Sequence, residues 1–385
     1  MPLRLVFALV SFHTTCIRAS RVLVTLYALK LGAAPLTIGM LAATFAVFPV
    51  LLSWQAGKLT DRYGSRWLML SAAAIGSCGM ILPFFVPELF AVFIAAAMTG
   101  LAMTFYNLSL QNLVGRLSTL ANRAQNYSNY SLFISVANMV GPLLVGILID
   151  RSGHEVAFLC VSLLLVVPIV LLGIFGGVLP RGQRQPGSTG SILDTLSNPR
   201  IWSVIAASSV AQTGLELFQV YMPVYGNSLG LSASAIGTIV ALSAAGGFVS
   251  RIFLARLIAW SSEEKVLAYA LLIGAISFAG VPLCQSAAML GVLAMLFGFG
   301  LNSSQPIVMT LMYSRSPEGR SGETLGLRFA LDNGVRLAAP VLFGAVATAL
   351  GLLAVFWINA LMLGAGGVIA HFDAKKDSIR SGKNA

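Results

Sequence analysis

The chain is a succession of apolar runs, each near the roughly 20 residues a helix needs to cross a bilayer. Twelve runs can be placed: 5–28, 35–56, 66–86, 88–112, 126–149, 155–178, 201–224, 233–256, 264–284, 287–313, 324–348 and 352–371. Short breaks rich in glycine, proline or charge part them, as at 32–35, 83–88 and 152–155. One longer break, 180–200, is rich in proline, glycine and serine and reads as a flexible linker. The pattern predicts an all-α membrane protein with twelve transmembrane helices. They form a six-helix bundle over 1–179 and a second over 201–371, with a tail at 372–385.

Composition agrees. Of 385 residues, 57% are hydrophobic and 10% charged, and the mean hydropathy is +0.86. A soluble domain carries about 25% charged residues. A net charge of +11 would suggest nucleic acid in a soluble chain, but here the cations lie between the apolar runs and serve as a topology signal. Arg4, then Lys58, Arg62 and Arg66, then Arg116 and Arg123 fall on one side. So do the linker arginines, Arg256 and Lys265, Arg315 and Arg320, and the C-terminal cations; Lys30 and Arg151 fall on the other. This bias puts both termini and the linker in the cytoplasm. The first run holds Arg18 and Arg21 and has no clear cleavage site, so it reads as an uncleaved span rather than a leader. Cys16, Cys78, Cys160 and Cys284 lie inside apolar runs without metal-ligand spacing, and no cofactor or metal is implied.

The two halves align without gaps at an offset of 198 residues. Tyr27, Leu31, Gly32, Ile38 and Gly39 fall on Tyr225, Leu229, Gly230, Ile236 and Gly237. Gly100 falls on Gly298, Asn107 on Gln305, Pro142 on Pro340 and Gly146 on Gly344. A parallel six-plus-six repeat implies bundles related by an axis along the membrane normal, an arrangement that suits alternating access.

Between the second and third runs stand Gly57, Leu59, Asp61, Arg62, Gly64 and Arg66. This pattern resembles the loop between helices 2 and 3 of the major facilitator superfamily, and the resemblance extends over nearly the whole chain. It implies that Asp61 faces the positive N-terminus of helix 11, near Gly322, and latches the cytoplasmic gate. The second-half copy keeps Arg256 and Leu257 but loses the glycines and the aspartate. Gly141, Pro142 and Gly146 resemble the core of the family's exporter-associated helix-5 motif, although a packing hinge would use the same residues.

In this family helices 1, 4, 7 and 10 line the central cavity, so the resemblance gives weight to polar residues there. Helix 1 offers Thr14, Arg18 and Arg21 on one face, and helix 7 offers Gln212, Glu216 and Gln219 in the same register. Helix 4 offers Thr104, Asn107 and Gln111, and helix 10 offers Asn302 and Gln305. On helix 11, Arg328, Asp332 and Arg336 form either an internal ion-pair ladder or part of the binding and coupling apparatus. Charge within the spans is net positive, which favours a substrate bearing a carboxylate or phosphate. Glu216, with Gln212 and Gln219 on its own helical face, is the better proton carrier. Asp332 has an arginine one turn away on each side, and His13 is either a helix contact or a titrating group. Helix 1 lacks the embedded acid of well-known drug–proton antiporters, and Ala96 stands where their helix-4 arginine usually lies. No Walker, HExxH or GxSxG pattern occurs, so the chain is not read as an enzyme. The expectation is a monomeric secondary transporter of the bacterial inner membrane. It exports a small organic anion or amphiphile, with protons as a coupling ion; uptake symport of an organic anion and multidrug efflux are the alternatives.

Overall fold

The computed structural model describes residues 2–119, 122–180, 199–316 and 321–381. The side chains at 54, 57, 58, 61–63, 124, 199, 200, 321–326 and 373–381 lie outside that description, as does the linker segment 181–198. The helices are α1 Pro2–Lys30, α2 Pro35–Tyr63, α3 Ser65–Phe85 and α4 Leu89–Arg116. The continuous segment Arg123–Phe175 follows. Gly153 breaks it with φ 83° and ψ 169°, giving α5 (123–152) and α6 (154–175). The second half contains α7 Pro199–Ser228, α8 Ala233–Trp260, α9 Glu263–Gly280, α10 Ala287–Arg315, α11 Ser321–Leu350 and α12 Leu352–Ser381.

Among the described residues, ten helical stretches are long and apolar enough to cross a membrane; one of them, Gln125–Val178, has 54 residues and is divided in two at Gly153. Helix α1 stays outside those ten because Arg18 and Arg21 interrupt its apolar run. Two expected boundaries move. The stretch 57–63, expected as a loop, continues α2 to Tyr63, and the backbone of the expected tail continues α12 to Ser381. A single residue, Gly64, then turns the chain into α3 with φ 80° and ψ 153°, a conformation open to glycine and strained for other residues.

The repeat is built into the backbone. Among the described residues, positive-φ glycines recur 198 apart: Gly32 (79°) with Gly230 (71°), and Gly153 (83°) with Gly351 (90°). Gly64 has no such mate, because Ser262 at that register is an extended N-cap with φ −133°. Helix contacts repeat as well. A Cβ on Gly100 would lie 2.5 Å from the Phe45 carbonyl oxygen, and one on Gly298 would collide with the Ser243 carbonyl. Gly39 packs on the Pro340 carbonyl as Gly237 packs on that of Pro142.

Close contacts divide the chain into two compact units. One comprises the described part of Met1–Gly187 with Gln219–Ala241 and Pro340–Ala345. The other comprises the described parts of Ser188–Phe218, Leu242–Ala339 and Val346–Ala385. The first unit's core near the start of α1 is made by Leu5, Leu9, Met69, Leu113 and Leu172 with their buried neighbours.

These contacts give a paired prediction. Gly298→Ala drives a methyl group into a backbone carbonyl and should lower the melting temperature of the purified protein, at a cost of about 1–3 kcal/mol. Gly334→Ala, where nothing lies within 4 Å of the added carbon, should leave it unchanged or raise it. Equal melting of Gly298→Ala and wild type would show that this helix contact is not tight.

Candidate functional site

The first unit brings together side chains from α1, α5 and α7. Gly141 lets α5 approach α1 so closely that a Cβ there would lie 2.6 Å from the Thr15 carbonyl and 2.8 Å from Arg18 Cβ. One turn earlier Asn138 Oδ1 accepts from Arg18 Nε at 2.7 Å. Gln219 Oε1 accepts from Arg18 at 2.7 Å and from Arg21 at 3.1 Å. The Arg21 guanidinium also lies 5.7 Å from the Phe45 ring centre. Two guanidinium groups thus converge on one neutral amide oxygen. Thr14 is half-buried on the same helix.

The second unit joins α7, α10 and α11. Glu216 Oε1 meets Arg336 Nε at 3.2 Å and accepts from Gln212 at 3.0 Å. On its own helical face Glu216 has the amides Gln212 and Gln219; from α11 Arg336 reaches across to α7 and adds a cation that this face cannot reveal. Arg328 pairs with Asp332 at 3.3 Å and donates to Ser208 at 2.9 Å and to Gln305 at 2.5 Å. Ser208 donates to Asp332 at 3.3 Å, and Gln305 donates to Gln212 at 3.4 Å. Arg328 is 1% exposed, whereas the Arg336 side chain is 36% exposed. The first is committed to the interior, and the second is accessible.

The two clusters correspond in the repeat. Arg18 stands at the register of Glu216, and Asn138 at that of Arg336. The same α1–α5 and α7–α11 approach therefore carries Arg–Asn in one half and Glu–Arg in the other. Asn138 and Ser208 were missed in the sequence; overlaying the α5 and α11 spans would have marked Asn138.

The other expected residues are dispersed. Asn302 donates to the Ser243 carbonyl at 3.3 Å, within α10–α8 packing. Asn107 is half-buried and Gln111 exposed on α4. His13 is buried and stacked on Tyr106 with ring centres 3.8 Å apart, and neither of its nitrogens has a hydrogen-bond partner. In the gating motif, Gly57 and the side chains of Asp61 and Arg62 lie outside the described residues. Arg66 is described: it donates to the Gly173 carbonyl at 3.0 Å, near the C-terminal end of α6. In the helix-5 hinge the Pro142 carbonyl faces Gly237, and a Cβ on Gly146 would lie 2.5 Å from the Ala233 carbonyl.

Sequence reasoning also missed Asp150, at the end of α5 beyond the fifth apolar run. Its Oδ1 accepts from the Ala233 amide and its Oδ2 from the Ser234 amide, both at 2.9 Å. These are the first amides of α8, so the carboxylate caps a helix N-terminus across the close contact at Gly146. Burial alone would raise its pKa; hydrogen bonds from Ser234, Ala233 and Ser232 outweigh this and hold it below the ordinary carboxylate value.

Apolar spans in two halves that repeat at a constant offset, with ionic clusters inside the spans, are features of a multi-pass membrane transporter. Residues 6–340 match the family model of the Major Facilitator Superfamily, and the chain belongs to that family. YuxJ of Bacillus subtilis (strain 168), named an uncharacterized MFS-type transporter, is 23% identical over 80% of this chain and 81% of its own. MdtG of Klebsiella pneumoniae (strain 342), named a multidrug resistance protein, is 23% identical over 84% of this chain and 80% of its own. A crystal structure of a POT family transporter in complex with 5-aminolevulinic acid has the same fold. Its TM-score is 0.82 at 13% identity, covering 97% of this chain and 96% of its own.

Two predictions follow from the geometry. Arg328→Ala strands Asp332 in the interior and should cost about 3–5 kcal/mol, seen as poor yield and early melting, while Arg328→Lys, which keeps a cation beside Asp332, should lose less. The second concerns Asp150. With its folded pKa below the ordinary carboxylate value, it stabilises the α8 cap at and above that value; the contribution is lost as pH falls through the lowered one. Spin labels on the ends of α5 and α8 should hold one distance at neutral pH and broaden only below about pH 4. Asp150→Asn should broaden it at all pH values, and a wild-type transition between pH 5 and 7 would contradict the assignment.

Proposed function

We propose that this transporter is a secondary active exporter of an organic anion or anionic amphiphile, working by alternating access in the bacterial inner membrane with both termini cytoplasmic. The observation that carries this reading is the convergence of Arg18 and Arg21 on the single neutral oxygen of Gln219. A carboxylate or phosphate offers those guanidinium groups a stronger, charge-assisted set of bonds than an amide does. Asn138 fixes the Nε edge of Arg18, which leaves the guanidinium oriented for a substrate. Arg336, paired with Glu216 and partly exposed, supplies the coupling element. Separation of Arg336 from Glu216 exposes that carboxylate to protonation, so proton occupancy is linked to the state of this pair.

A second reading, multidrug efflux, draws support from relatives named multidrug resistance protein MdtG. Under it, Glu216 receives a cationic drug. One experiment separates the readings: flux in proteoliposomes with imposed pH gradients, using a panel of organic anions and lipophilic cations. Anion export should fall at least about tenfold in Arg18→Ala. Its pH dependence should vanish in Glu216→Gln while exchange of substrate persists. Transport of cations but not anions, or full anion flux in Arg18→Ala, would refute the anion assignment.

A further inference from the structure

A cavity of about 320 Å³ opens in the second unit among α7, α9, α10 and α12. Its volume is at the lower end of the about 300–1,000 Å³ of small-molecule sites. The repeat shows how it arises. Ser203, Ala207 and Ala370 line it, and 198 residues earlier stand Leu5, Leu9 and Leu172, all buried in the core of the first unit. Leu267 and Leu311 line it too, and their mates Met69 and Leu113 belong to that same core. The second half therefore keeps part of the wall of a filled core and loses bulk around it, with three leucine side chains gone from its centre and smaller residues also at Val210, Ala365 and Gly366, where the first half has Phe12, Val167 and Pro168. An empty apolar void forfeits dispersion contacts and destabilises the fold, so a space made by smaller residues gathered at one place points to an occupant.

The surroundings define that occupant. On α7 the cavity takes the 203–207–210 face, opposite the face of Ser208, Gln212 and Glu216. It is thus separated from the polar cluster. Its α12 rim, Met362 and Ile369, is exposed, and around a multi-pass membrane protein that exposure is to hydrocarbon. At one end of the cavity Arg315 and Glu264 form an ion pair at 2.9 Å with both side chains partly exposed. Their repeat mates, Leu117 and Arg66, make no such couple. A solely anionic head would meet Glu264, and a solely cationic one would meet Arg315; a head carrying both charges satisfies both.

We propose that this cavity holds an acyl chain of one bilayer phospholipid, with its zwitterionic phosphate–ammonium head engaging Arg315 and Glu264. The site does not depend on the transported substrate. Its test uses the full chain purified in mild detergent, with retained lipid read by native mass spectrometry and melting measured with added phosphatidylethanolamine or phosphatidylglycerol. Wild type should retain one phosphatidylethanolamine and be stabilised by that lipid more than by phosphatidylglycerol. Ala207→Leu and Ala370→Leu restore the first half's own side chains and so should fold. Each should weaken retention about tenfold or more and raise the lipid-free melting temperature. Glu264→Gln with Arg315→Gln should abolish the preference between the two heads while leaving the cavity open. Equal lipid retention in the refilled variants would overturn the proposal. So would loss of transport with retained lipid, which would assign the cavity to substrate, or a crosslink showing another segment of this chain within it.

Discussion

In a bilayer, apolar side chains gain nothing by leaving lipid for one another, so helices associate through close approach and shared polar contacts. This protein meets that constraint by bringing backbones into carbonyl contact at glycines placed 198 residues apart. Gly100 against Phe45 and Gly298 against Ser243 join two helices within each half. Gly39 against Pro340 and Gly237 against Pro142 tie the far ends of second-half helices into the first unit. Each contact replaces a side chain with a backbone carbonyl, and the spacing it sets fixes which polar groups can meet. Gly141 shows the consequence: because α5 lies against α1 at Thr15, the short Asn138 side chain reaches Arg18.

On that duplicated frame the chemistry has diverged. One helix pair holds Arg18 with Asn138, and its mate holds Glu216 with Arg336. The geometry is alike and the chemistry differs: Arg18 donates to the Asn138 amide, and Arg336 pairs with the Glu216 carboxylate. The second cluster is also layered. Arg328 and Asp332 are bound into the interior by Ser208 and Gln305, while two turns along α11 Arg336 remains partly exposed. A buried pair held by several hydrogen bonds makes a poor moving part, because separating it leaves a charge in a low-dielectric site. In the Arg336–Glu216 pair only the arginine is partly exposed, so that solvent and ligand reach its free edge while the carboxylate stays buried.

Much of this was legible in the sequence because its signals are long-range and redundant. Twelve apolar runs, a constant offset and the motif around Asp61 gave spans, repeat and family, and the turn glycines Gly32 and Gly230 were visible as a matched pair. What escaped depended on partners from other helices. The face of α7 shows Gln212 and Gln219 beside Glu216, but Arg336 is 120 residues away and reaches it only once α11 is packed. Asp150 lies just past the fifth apolar run and gains a role only once α8 begins beside it. The stretch 57–63 reads as a loop because its charges end the apolar run, yet a helix tolerates charge at its end, and α2 continues to Tyr63. Small residues such as Ala207 and Ala370 look like ordinary span residues; as the walls of a void they acquire meaning only against Leu9 and Leu172.

The cap made by Asp150 illustrates how such a frame stays reversible. Its two bonds to the first amides of α8 satisfy groups that a helix start always leaves open. The carboxylate is exposed, so water can take the place of either partner, and the net value of the contact is modest. The neighbouring contact of Gly146 with the Ala233 carbonyl is equally free of commitment. It interlocks no side chains, so parting requires no rotamer change. A junction of interdigitated leucines would hold these ends more firmly, and separating it would expose a mould of cavities. Smooth backbone contact aligned by one solvated carboxylate gives a defined geometry with a low barrier to leaving it. That combination suits the alternating-access cycle proposed for this transporter.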